Sequence, residues 1–251
     1  MSELIEASHV LKRTYRRLNS AYIFYIVTIY NYLQIKEKIM RCPISKQEIS
    51  WVFFVFLILA VVIWINGSNH NLFLQINSQH SLLPDAVWEF FNFISYSKYF
   101  ILPILLLVIT FFKRRDKLVN IVLLIIAYYV VFALLKKLVG EARPFIVLAP
   151  DSFFWLNHYE DAAKSAYKSF PSGHTGNMAV FAFALSSMFF ANKRILQFLV
   201  LLLVIITGLA RICTGWHWPL DVLASGLIGY VLVKICLAFP FAKNSLRATD
   251  K

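Results

Sequence analysis

From Trp51 onward the chain alternates long apolar runs with short polar, charge-bearing connections. Six such runs centre on Trp51–Ile65, Tyr99–Phe112, Leu118–Leu135, His174–Ala191, Ile195–Arg211 and Pro219–Leu237, the first two being short. Spans of roughly 20 apolar residues cross a bilayer, and in hydrocarbon an open chain satisfies its backbone only as helix. The pattern therefore predicts an all-α, polytopic membrane protein with six transmembrane helices. No small-residue cleavage site follows the first run, so that run is expected to act as its own uncleaved signal.

The segment Asn19–Ile35, NSAYIFYIVTIYNYLQI, is apolar but carries Asn19, Asn31, Gln34 and several tyrosines. It reads as an interfacial amphipathic helix on the cytoplasmic face, because a seventh span there would export Lys12–Arg17. The expected organisation is a cytoplasmic segment 1–50, a transmembrane domain 51–238 and a cytoplasmic tail 239–251.

Composition agrees with the pattern. The chain is 59% hydrophobic and 15% charged, too apolar for a solvated surface. Its net charge of +12 raises nucleic acid as a partner, but the distribution of that charge argues for topology. Lys12, Arg13, Arg16, Arg17, Lys36, Lys38, Arg41 and Lys46 precede the first run, Lys113, Arg114, Arg115 and Lys117 follow the second, and Lys193 and Arg194 follow the fourth, whereas Asn66–Ser97 holds no Lys or Arg. By the positive-inside rule the basic connections are cytoplasmic, and the connections 66–97, 136–173 and 212–218 lie outside. Three scattered cysteines, Cys42, Cys213 and Cys236, do not read as a disulfide framework or a metal site.

Three clusters place polar chemistry at the outer ends of the spans, where an ionisable group is expensive and points to function. They are Lys136 and Lys137 with Arg143-Pro144, then Ser172-Gly173-His174, then Arg211 with His217 and Asp221. Singly each has an ordinary explanation: a snorkelling lysine, an N-cap serine, an acidic first turn. Together, the three cations Lys136, Arg143 and Arg211, a helix N-terminus and two histidines describe an anion site with proton-transfer groups. Asp221, four residues after His217 across a helix start, can fold back onto one imidazole nitrogen and leave the other free to attack.

The order K-x6-R-P, P-S-G-H, R-x5-H-x3-D resembles the signature of the type 2 phosphatidic acid phosphatase (PAP2) superfamily, which includes bacterial membrane lipid phosphatases. Here it is carried by Lys136, Arg143 and Pro144, by Pro171, Ser172, Gly173 and His174, and by Arg211, His217 and Asp221. The resemblance runs from about Trp51 to Leu237. One position departs from it, since Ala210 stands where the family often has serine.

The resemblance implies a PAP2-like helical bundle and a metal-independent, cofactor-free displacement. His217 is then the nucleophile, His174 the acid and base, and Asp221 the group that orients His217. Lys136, Arg143, Ser172, Gly173 and Arg211 would hold the phosphoryl oxygens. It further implies a lipid phosphate monoester or pyrophosphate as substrate, of the undecaprenyl pyrophosphate, lipid A or phosphatidylglycerophosphate type, met at the outer face of a bacterial inner membrane. The aromatics Phe153, Phe154, Trp155, Trp216 and Trp218 suit such a boundary. Residues 145–170 read equally as a headgroup lid or a plain connection. Two rivals stay open: a phosphotransferase with the same intermediate, and a lipid or anion transporter using the same cationic pocket.

Overall fold

The computed structural model describes residues 68–156 and 160–239, with Ile58 and Val61 as isolated helical positions. The first expected span, the expected interfacial helix and most of the tail lie outside the described residues.

Two helices occupy the connection between the first and second runs: α1 (Asn69–Asn77) and α2 (Asp85–Ser95). Ser68 caps α1 by accepting from the Asn71 amide at 3.0 Å. Neither helix stands out in the apolar pattern, because α1 mixes asparagine, histidine and glutamine with its leucines. Phe73 is nevertheless fully buried, as is Trp88 of α2.

The later helices follow the apolar runs. They are α3 (Ile101–Lys113), α4 (Leu118–Val139), the short α5 (Pro144–Val147), α6 (Gly173–Phe189), α7 (Arg194–Cys213) and α8 (Pro219–Ala238). Helix α3 starts two residues inside the run read from the sequence, because Phe100 takes a left-handed φ of 54° between a 3₁₀ turn and the helix. At 13 residues α3 is about 20 Å long, short of a full span on its own. Helix α6 ends at Phe189, not Ala191.

Among the described residues, α7, α8 and the helix containing α4 are long and apolar enough to cross a membrane. Each presents two unlike faces. On α4, Val119, Val122, Ile126, Val130 and Leu134 form an exposed stripe at helical spacing, while Ile121, Leu124, Tyr128 and Phe132 are buried. An exposed stripe of this kind is the face lipid covers.

Helix α6 is central, with a nearly continuous buried run from Thr175 to Val180. Its small residues let neighbours approach closely. A Cβ on Gly176 would fall 2.2 Å from the Phe132 ring of α4, and one on Gly229 of α8 would fall 2.8 Å from Ala179. At one end of the bundle Asn120 donates to Cys236 O and Phe239 O at 2.7 Å each, and Arg114 reaches Met188 O at 3.3 Å. The basic connections after α3 and after α6 therefore share this end. The C-terminus of α4 and the N-termini of α6 and α8 meet at the other.

Candidate active site

The site is assembled where these helices begin and end. Gly140, at φ 61°, terminates α4 and turns the chain toward Arg143 and Pro144. Ser172 caps α6, its Oγ 3.5 Å from the Thr175 amide and 3.1 Å from Thr175 Oγ1. Gly173 and His174 thus lie in the first turn, where amides have no intrahelical acceptor. Pro219 opens α8, and Asp221 reaches back to accept from the Trp218 amide at 3.0 Å.

Gly215 makes the turn between α7 and His217. Its φ is 78°, and a Cβ there would sit 2.6 Å from Phe154 O, so the position needs glycine for both backbone and space. The carbonyl of Arg211 accepts from the amides of Trp216 and His217 at 3.0 and 3.3 Å.

His217 is the best-defined member. It is 1% exposed, with Nδ1 3.3 Å from Asp221 Oδ2 and Nε2 3.2 Å from Arg143 Nη1. Because arginine only donates, Nε2 accepts there and Nδ1 carries the ring proton toward Asp221. Burial, then the charges of Arg143, Arg211 and Lys136, and last His174, hold its pKa well below the ordinary histidine range. The imidazole is neutral at pH 7, with its lone pair on Nε2.

The cations are held by backbone carbonyls. Arg143 donates to Ser165 O at 2.9 Å, Trp216 O at 2.8 Å and Lys168 O at 3.3 Å. Lys136 donates to Pro171 O at 2.6 Å and Lys168 O at 2.9 Å. The guanidiniums of Arg143 and Arg211 lie 5.3 and 5.4 Å from the Trp216 ring. His174 stacks on Tyr96 of the α2–α3 connection, with centroids 5.2 Å apart and planes at 13°.

The eight residues expected from the sequence, Lys136, Arg143, Ser172, Gly173, His174, Arg211, His217 and Asp221, thus gather at one end of the bundle. The expected aromatic boundary is different. Trp216 and Trp218 are buried at 8% and 2% exposure, Phe145 stacks on Trp155, and His80 stacks on Phe154. Phe145 and Trp155 both pack edge-on against Trp216, which also meets the guanidiniums of Arg143 and Arg211.

Ala210, which stands where the family often has serine, packs in an apolar cluster with Trp88 and Cys213. A serine at this position would meet that cluster.

Several contributors were not read from the sequence. Ser169 donates to Asp221 Oδ2 at 2.5 Å. Tyr128 donates to Gly173 O at 2.7 Å and meets Ser97 Oγ at 2.9 Å. The Glu141 carbonyl accepts from the Ser169 amide at 3.0 Å, which ties the two connections together. Of these, only Glu141 carried a legible signal, since it is a charge beside Arg143 at a span end. Among the described residues, no cluster of three or more His, Cys, Asp or Glu is arranged to hold a metal ion.

A helical bundle with this cation-lined, two-histidine site defines a membrane phosphatase class. The PAP2 superfamily model matches residues 117–245, just over half of the chain, and the protein belongs to that superfamily. It is 33% identical over 116 residues to a lipid A 1-phosphatase of Rhizobium johnstonii, covering 45% of this chain and 43% of that enzyme, so the match spans less than half of that relative. It is 24% identical over 187 residues to an undecaprenyl-diphosphatase of Sulfolobus acidocaldarius, covering 71% of this chain and 85% of the relative. The crystal structure of Aquifex aeolicus LpxE superposes with a TM-score of 0.56 at 28% identity, over 67% of this chain and 93% of that one. The protein is an integral membrane protein.

Proposed function

We propose that the protein is a phosphatase of membrane lipid phosphates that works through a phosphohistidine. The observation that carries this reading is the His217 imidazole, held neutral between the Asp221 carboxylate at Nδ1 and Arg143 at Nε2. As a phosphate enters, Arg143 transfers its Nη1 donor from Nε2 to a phosphoryl oxygen, and the lone pair faces phosphorus. The N–P bond forms as the P–O bond to the lipid breaks, and His174 gives the leaving oxygen its proton. His174 then takes a proton from water, whose oxygen attacks phosphorus. The N–P bond breaks, and inorganic phosphate leaves. Lys136, Arg143, Arg211 and the first amides of α6 neutralise charge on the phosphoryl oxygens throughout.

The site lies at the opposite end of the bundle from the basic connections around Arg114 and Arg194, which supports an outer-face site in a bacterial inner membrane. A lipid phosphate monoester or pyrophosphate suits this depth, its headgroup at the helix ends and its tail along exposed apolar stripes. The names of the relatives, a lipid A 1-phosphatase and an undecaprenyl-diphosphatase, point the same way.

The test is phosphate release by purified protein from a panel holding lipid A, undecaprenyl pyrophosphate and phosphatidylglycerophosphate, with and without a second lipid as acceptor. Release to water from at least one of them, lost in His217→Ala, is expected. Transfer to the acceptor without release would identify a phosphotransferase, and transport of an unaltered lipid would defeat the reading.

A further inference from the structure

Ser169 is fully buried and lies three residues before the Ser172 cap. Its Oγ meets Asp221 Oδ2 at 2.5 Å, the shortest of three contacts to that oxygen. The other two come from the Trp218 amide at 3.0 Å and His217 Nδ1 at 3.3 Å. An amide can only donate, so Oδ2 is an acceptor, and the Ser169 hydroxyl donates to it as well. Asp221 Oδ1 is buried and takes no hydrogen bond among the described residues. Hydrogen bonds therefore hold this carboxylate through Oδ2.

The chain around Ser169 is built into the site. The Ser169 amide donates to Glu141 O at 3.0 Å, and the Ser172 amide donates to Asp221 O at 3.4 Å. Lys168 O accepts from Lys136 Nζ at 2.9 Å and Arg143 Nη2 at 3.3 Å, and Pro171 O accepts from Lys136 Nζ at 2.6 Å. One stretch, 168–172, thus grips two cations by its carbonyls and the Asp221 carboxylate by a side chain. That hydroxyl is fixed in place by the same backbone that fixes the cations.

We propose that Ser169 is a positioning residue whose hydroxyl keeps Asp221 a pure acceptor, so that His217 carries its proton on Nδ1 and its lone pair on Nε2. For its kinetic consequence this rests on the phosphatase reading; for the proton on His217 it does not. A donor on a carboxylate favours the ionised form, so its removal makes the His217–Asp221 pair more basic. Whichever partner then takes up the proton, Nε2 is lost as a nucleophile. An imidazolium has no lone pair, and a protonated Asp221 donates to Nδ1 and sends the ring proton to Nε2. The pair is competent only above its apparent pKa, so loss of the hydroxyl moves the failure to higher pH. The other charged or titratable groups around the pair are Lys136 of α4, Glu141, Arg143 and Lys168 of the connection between α4 and α6, His174 of α6 and Arg211 of α7. All of them are common to wild type and a Ser169 variant, so a difference between the two belongs to the hydroxyl.

Two measurements test this on the full-length protein in detergent micelles. The first follows the ¹⁵N shifts of His217 from pH 8 to 5 in wild type and Ser169→Ala. The variant should leave the state with protonated Nδ1 and free Nε2 at a pH higher by roughly one unit, the scale of one hydrogen bond to a charged group. Ser169→Cys, whose thiol is similar in size and a weaker donor, should move it by less. Curves that coincide for wild type and either variant would overturn the role of the hydroxyl, whether or not the protein hydrolyses anything.

The second is the pH profile of kcat with dioctanoyl phosphatidic acid as probe. In Ser169→Ala the acid limb should move to higher pH by a similar amount, with KM changed less than about threefold, the scale left when no phosphate contact is lost. A fall in kcat that is equal at every pH, with the acid limb unmoved, would show that Ser169 supports the loop alone and would overturn the proposal. Wild type that releases no phosphate from this probe or the panel above would instead defeat the phosphatase reading, and the ¹⁵N curves would still decide the role of Ser169.

Discussion

Arg143 Nη1 stands 3.2 Å from His217 Nε2, on the opposite side of the imidazole from Asp221. The arginine therefore fixes the tautomer and covers Nε2, the nitrogen that attacks in the proposed mechanism. The ¹⁵N shifts of His217 at pH 7 should report a protonated Nδ1 and an unprotonated Nε2. Arg143→Lys, which loses the planar fork, should reduce kcat/KM by roughly 10²-fold, the scale of one charge-stabilising donor. A loss of less than about threefold would mean that Arg143 serves the loop alone.

Gly215 should be the least replaceable glycine in the turn. Gly215→Ala meets both a positive φ and the Phe154 carbonyl, so a stability loss of about 1–3 kcal/mol is expected, together with lower activity as His217 shifts. Gly140→Ala has the same backbone penalty, but its Cβ has nothing within 4 Å. It should lose roughly 1 kcal/mol. Melting temperatures of the two variants in one detergent check the order.

Asn77 ties α1 to the site. Its Nδ2 donates to Phe154 O, Ile212 O and Cys213 O at 2.9–3.1 Å, and its Oδ1 accepts from the Phe154 amide at 2.7 Å. Two of these carbonyls belong to the end of α7, where helix acceptors lack intrahelical partners. Asn77→Ala takes this donor from the three carbonyls and this acceptor from the Phe154 amide and should cost about 1–3 kcal/mol, read as a lower melting temperature and faster proteolysis within residues 148–156.

Acid should destabilise the fold. The folded pKa of His217 lies below its unfolded value of about 6.5. Below about 6.5 the unfolded chain takes up a proton that the folded chain refuses, so stability falls as pH drops from 7 toward 5. Thermal melts should show this fall, and His217→Gln should diminish it.

Chelators should leave turnover intact, because Lys136, Arg143, Arg211 and the α6 amides supply the charge neutralisation that a metal would otherwise provide. Loss of activity in EDTA that is restored by one divalent ion would contradict this.

The parts legible in the sequence were those with a local period or a fixed spacing. Helices α4, α7 and α8 follow their apolar runs to within a few residues, and Ser172, Pro219 and Asp221 mark helix starts by ordinary capping chemistry. Helices α1 and α2 were read only as a connection, since their burial comes from packing on α7 and not from an apolar period. The role of the aromatics was also hidden. Whether Trp216 faces lipid or two arginines is decided by the Gly215 turn, which brings distant segments together. Ser169 and Tyr128 act through single hydroxyls at tertiary contacts, and nothing in their neighbourhoods distinguishes them from other serines and tyrosines.

The central claim is that His217 becomes phosphorylated while His174 supplies the proton. The most direct test is single-turnover phosphorylation, comparing an alkyl lipid phosphate with a nitrophenyl ester in wild type, His174→Ala and His217→Ala. Wild type should yield an acid-labile, base-stable phosphoenzyme, and His217→Ala should yield none with either ester. His174→Ala should slow the alkyl ester by roughly 10²–10⁴-fold and the nitrophenyl ester far less, because nitrophenolate leaves without a proton. Equal slowing of both esters, or a nitrophenol burst that persists in His217→Ala, would contradict the account.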